Sequence, residues 1–153
     1  MLRLLIFVLT ALVAIVAWSI WRRERRRRTI ARATDDFVRN RIALEQDFCA
    51  AANVTGKPRG LRWKQCEFQT GMLLARDRAT GELLGLVPVT ISFEAIEGGG
   101  MEDVEAVGNL RAATAVLTWA GHAWTTTGRA MFNLEPREVI ERHRESLEPV
   151  AAV

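Results

Sequence analysis

Five carboxylates gather around a triple glycine: Glu94, Glu97, Glu102, Asp103 and Glu105 flank Gly98-Gly99-Gly100. Carboxylate oxygens on a pliable loop suit a divalent cation or a basic protein partner. The spacing fits no calcium loop, so partner binding is the functional reading and an ordinary soluble loop the structural one. Arg111, just beyond the loop, is the sharper anomaly. The strand register derived below sets its guanidinium on an apolar face beside Phe132, where an arginine must be paired or must line a cavity. A loop carboxylate would be its structural partner and an anionic small ligand its functional one. A ligand pocket here would use Arg111, Asn109 and Glu94.

Other chemistry-bearing residues are sparse. Lys57, Arg59, Arg62 and Lys64 surround Trp63, a basic cluster with one aromatic that suits headgroups or phosphate but equally a solvated strand start. The two histidines, His122 and His143, have no serine or cysteine placed beside them by spacing. Cys49 and Cys66 are separated by a 16-residue spacer without any Cys-x-x-Cys, so no metal site is expected and a reducing compartment would keep them as thiols. Neither a nucleophile elbow nor a phosphate loop occurs. No cofactor is expected, and an enzyme is the least favoured class.

The elements that must position these residues follow from periodicity. Between Leu61 and Phe93 the apolar residues alternate. The polar turn Asp77-Arg78-Ala79-Thr80-Gly81-Glu82 closes a hairpin in which Asp77 faces Glu82, Met72 faces Val87 and Phe68 faces Ile91. Thr90, Ser92 and Glu94 fall on the opposite, wet side. Pro88 cannot donate to a ladder, which places it at an edge or a bulge. A second hairpin turns at Gly121-His122, so Trp119 faces Trp124, Ala113 faces Ala130 and Arg111 faces Phe132. Its reverse face, with Thr114, Val116 and Thr118, is expected to be exposed. Pro136 opens a last helix that runs to about Leu147, with Val139, Ile140, His143 and Leu147 as its apolar stripe.

The N-terminal part reads differently. Leu4 to Trp21 is uncharged over eighteen residues, roughly 27 Å at helical rise, which predicts a single membrane span. Arg22, Arg23, Arg25, Arg26, Arg27 and Arg28 follow it directly, so the positive-inside bias puts the rest of the chain in the cytoplasm. Trp18 and Trp21 suit the headgroup level, and the arginines suit anionic lipid headgroups. Residues 1–28 carry seven arginines and one glutamate, net +6. The rest, with 14 basic and 17 acidic side chains, is −3, which together gives the chain's +3. The basic excess belongs to the anchor, and nucleic acid is disfavoured as a partner. Residues 29–52 lack Gly and Pro and place Ile30, Ala33, Phe37, Leu44 and Phe48 on one helical face, expected to pack on its own domain.

The sequence therefore predicts an α+β protein: a transmembrane anchor with its basic block (1–28), an amphipathic helix and turn (29–56), and a four-stranded antiparallel meander closed by a C-terminal helix (57–153). Its expected role is a membrane-tethered interaction or scaffolding module holding a cytoplasmic protein partner through Glu94, Glu102, Asp103 and Glu105 or a sheet edge. The alternatives are a small-ligand domain with an anion site near Arg111, and an enzyme of unassigned class. Oligomeric state is not legible.

Overall fold

The computed structural model describes residues 2–55, 60–104 and 108–150, with the side chains of residues 2–5 and of Val8 outside that description. Leu2–Thr55 forms one helix, α1. It contains no glycine or proline, so nothing interrupts its hydrogen-bond ladder where the apolar run meets the arginines. The strands are β1 (Leu61–Phe68), β2 (Leu73–Asp77), β3 (Leu83–Ala95), β4 (Arg111–Trp119), β5 (Trp124–Thr125), β6 (Ala130–Phe132) and β7 (Leu147–Val150). A short helix, α2 (Pro136–Arg142), precedes β7.

Two expectations are corrected here. The separate anchor and juxtamembrane helices are one continuous rod, and the four-stranded meander is a seven-stranded sheet in the order β5-β4-β3-β2-β7, with β1 also on β3 and β6 also on β4. Among the described residues no helix is long and apolar enough to cross a membrane. On that finding the single-pass span and the membrane localisation, with the cytoplasmic orientation drawn from them, are withdrawn. The first residues of the predicted span, Leu4, Leu5 and Val8, have side chains outside the description.

All strand pairings are antiparallel, and both hairpins slip by two residues away from their turns. The first turn forms with Asp77 N–H donating to Glu82 O at 3.0 Å, and β2 follows its register on β3. Phe68, however, pairs with Val89 and not with Ile91. The slip sits beside Pro88, which has no N–H to donate. Residues 69–72 loop out there, leaving only the Gln69 N–H on Pro88 O at 2.7 Å. Thus β1 and β2 are one broken strand along the same side of β3. The second hairpin behaves alike: Trp119 pairs with Trp124, but Phe132 pairs with Ala113, not Arg111.

The core lies between the sheet and α1. Ile30, Ala33, Phe37, Leu44, Phe48 and Ala52 pack on Phe68, Val87, Val89, Ile91, Phe93 and Trp124. The second face is covered too, which corrects the expected wet side. Val139 of α2 and Leu147 of β7 cover Ala75 and Leu86, while Thr114 is fully buried and donates to Leu134 O at 2.6 Å. Ser92 is buried as well. The last helix ends at Arg142, and Leu147, predicted as helical, opens β7.

A polar stripe beside the apolar one performs a second task. Arg41, Glu45, Cys49 and Asn53 recur every four residues and all meet the outer edge of β1. Arg41 donates to the carbonyls of Phe68 and Gln69. Glu45 Oε2 accepts from Phe68 N–H at 2.8 Å, Cys49 Sγ lies 3.8 Å from Cys66 O, and Asn53 Oδ1 accepts from Trp63 N–H at 3.2 Å. An open strand edge invites pairing with another chain. Here helix side chains stand in for the missing strand.

Candidate functional site

The residues singled out around the acidic loop do not converge. Glu94 pairs with Arg62 at 2.6 Å across the β1–β3 ladder. Glu102 is exposed and accepts from Gly99 N–H at 3.1 Å. Its own backbone N–H, with further amides from Gly98, Met101 and Gly99, holds its carboxyl below the usual carboxylate range. Asp103 and Asn109 are exposed, and Glu105 lies outside the described residues, as do Lys57 and Arg59 of the second basic cluster. Arg111 is exposed at the start of β4, so the buried guanidinium beside Phe132 does not exist. Among the described residues no group of three histidine, cysteine or acidic side chains is placed to hold a metal ion.

Arginines converge at the opposite end. There the turn following β2 and the β4–β5 hairpin approach α1 one to two turns beyond its apolar run. The helix is fixed at this point by Trp124, whose Nε1 donates to Ala33 O at 2.8 Å. Trp21 and Trp18 lie with ring centroids 5.2 Å apart, and the Arg25 guanidinium sits 5.2 Å from the centre of the Trp21 ring. Arg25 is therefore held by an aromatic face and not by a carboxylate.

Two open hollows flank this stacked pair. One, about 500 Å³, is walled by Arg25, Arg28 and Arg32 together with Glu24, and by Gly121 of the hairpin tip. The other, about 610 Å³, is walled by Arg22, Arg25, Arg26 and Arg76 with Gly81. Arg76 comes from β2 and is steadied by donating to Gly81 O at 2.7 Å. The turn that presents Gly81 is built by Asp77, whose Oδ1 accepts from Ala79 and Thr80 N–H groups at 2.8 and 3.1 Å. Burial, and then the like charge of Arg26, hold Arg76 below the ordinary arginine pKa. Two guanidiniums from distant parts of the chain thus face one opening. Among the described residues only Arg28 of this cluster has a carboxylate within ion-pair distance, Glu24 at 2.9 Å.

The arginine block and its tryptophans were legible in the sequence; Arg76, Gly81 and Gly121 were not. Tertiary packing alone brings the two turns beside the helix, although Arg76, directly before the turn that holds Gly81, was a usable hint. Comparison of the chain with protein-family models, curated proteins and solved structures finds no match. The site therefore has to be read from its own chemistry.

Proposed function

We propose that the chain is an interaction module whose basic end holds a phosphate-bearing anionic partner between α1 and the turn after β2. The observation that carries this reading is the meeting of Arg26 and Arg76 at one hollow whose lining includes no carboxylate, the charge of Glu148, opposite Arg76 in the β2–β7 ladder, offsetting their repulsion only in part. Two like charges set face to face repel, and an anion between them turns that repulsion into two charge-assisted hydrogen bonds. Arginine's planar fork matches phosphate oxygens in pairs. The acidic loop supports binding less well, because Arg62 and the loop's own amides already engage Glu94 and Glu102.

Phosphate oxygens come either from a free polyanion or from the headgroups of anionic lipids. Titration of the full chain in neutral detergent with inorganic tripolyphosphate, followed by tryptophan fluorescence, tests the chemistry. Vesicles of phosphatidylglycerol against phosphatidylcholine separate the sources. The expected result is saturable binding that weakens with added salt and falls about three- to tenfold in Arg76→Gln. Equal affinity of wild type and Arg76→Gln for both probes would refute the site.

A further inference from the structure

Cys49, near the C-terminal end of α1, and Cys66 of β1 lie away from the arginines and take no part in that site. Cys49 belongs to the polar stripe of α1 and is half-buried; Cys66 is buried in β1. The Cys49 thiol donates to Cys66 O, with Sγ 3.8 Å from the carbonyl oxygen, which sets the helix cysteine directly against the strand cysteine. Among neighbouring ionisable groups, Glu45 is the one whose charge bears on both. The surrounding seam fixes the pair from both sides: Glu45 holds Phe68 N–H and Asn53 holds Trp63 N–H, one helical turn before and after Cys49. Most free cysteines act as small buried apolar residues. This pair differs in having one member open to solvent and the other behind it.

We propose that Cys49 and Cys66 form a peroxide-sensitive oxidation site, in which a disulfide between them pins α1 to the edge of β1. Cys49, the accessible member, attacks as thiolate. Its sulfur takes one oxygen of the peroxide, the O–O bond breaks, and the departing hydroxide takes up a proton as water, leaving Cys49 as sulfenic acid. The Cys66 sulfur then attacks Cys49 sulfur as its proton leaves, the S–O bond breaks, and a second water departs. Two thiols lose two electrons in total and the peroxide gains them. The hydrogen bond that Cys66 offers to Cys49 favours the Cys49 thiolate against the opposing effect of burial, while the same contact, and then burial, push Cys66 up. The two thiols are thereby divided into attacking and resolving partners.

The test exposes the reduced full chain to hydrogen peroxide, quenches with catalase and blocks remaining thiols with a maleimide. The expected product has lost two hydrogens, takes up no maleimide, and yields the tryptic peptides 42–59 and 65–76 joined. The folded chain should form this link at least tenfold faster than the chain in guanidinium, because only the fold brings the thiols together. Cys66→Ser should stop at a sulfenic acid that dimedone traps on Cys49. Wild type that gains oxygen without linked peptides would overturn the proposal, and so would linkage as fast in the unfolded chain as in the folded one.

Discussion

The indole N–H of Trp124 reaches the carbonyl of Ala33 at 2.8 Å, a bond that joins residues 91 apart in sequence inside the core. Its cross-strand neighbour Trp119 is equally enclosed, yet its Nε1 has no partner among the described residues. The two tryptophans therefore make opposite predictions. Trp124→Phe should destabilise by about 2 kcal/mol, one part hydrogen bond and one part lost ring volume. Trp119→Phe should cost clearly less, because it also removes an unsatisfied donor. Urea unfolding of both variants checks the order, and a Trp119→Phe loss as large as that of Trp124→Phe would contradict it.

Gly128 marks the point where the loop between β5 and β6 touches the end of α1. Its φ is +74°, and a Cβ there would stand 2.2 Å from Ala52 N and 2.5 Å from the Ala51 carbonyl carbon. Both obstacles are backbone and cannot turn aside. Gly128→Ala should cost roughly 3 kcal/mol or more through strain and displacement of the helix end. The drop in denaturation midpoint measures it.

Glu45 guards the β1 edge through the Phe68 N–H. Glu45→Ala should cost about 1–3 kcal/mol by leaving that donor without its partner. Hydrogen exchange at the Phe68 amide should rise with it, while exchange at the Leu86 amide of β3 follows only the global loss. Unchanged protection at Phe68 would show that the helix side chain does not cover the edge.

The Cys49 thiol titrates below its ordinary value because Cys66 hydrogen-bonds to it. A lowered pKa means more thiolate at any pH under the ordinary value, so alkylation of Cys49 by iodoacetamide should begin at lower pH than for a free cysteine. In Cys66→Ser the alkylation profile should move to higher pH, since a hydroxyl keeps less of that contact. A profile identical in the two proteins would remove the assigned cause.

What could be read in advance was whatever local chemistry decides. The turn from Asp77 to Glu82 and the pairing of Trp119 with Trp124 depend on a few adjacent residues, and they form as the turn residues dictate. Registers carried farther failed at Pro88 and at Gly128, where a missing donor and a close helix contact each force two residues out of the ladder. That slip also moved Arg111 away from Phe132 and dissolved the expected anion pocket. The helix over 29–52 continues the N-terminal one without a break, because it holds no Gly or Pro and backbone hydrogen bonds are indifferent to the change from apolar to charged residues; the division into an anchor and a separate juxtamembrane helix does not hold. Arg41, Glu45, Cys49 and Asn53 carry no assigned role in the sequence reading. Their four-residue repeat beside an apolar stripe was the signal that they answer a strand edge.

The unbroken course of α1 has a mechanical consequence. A rod of 54 residues, about 81 Å at helical rise, carries the sheet along its second half and has no hinge between the halves. Torque applied to the bare half reaches the sheet with no joint in between. Whatever grips Arg22 to Arg28 therefore sets the compass bearing of the far end as well, including the direction in which Glu97 and Asp103 point.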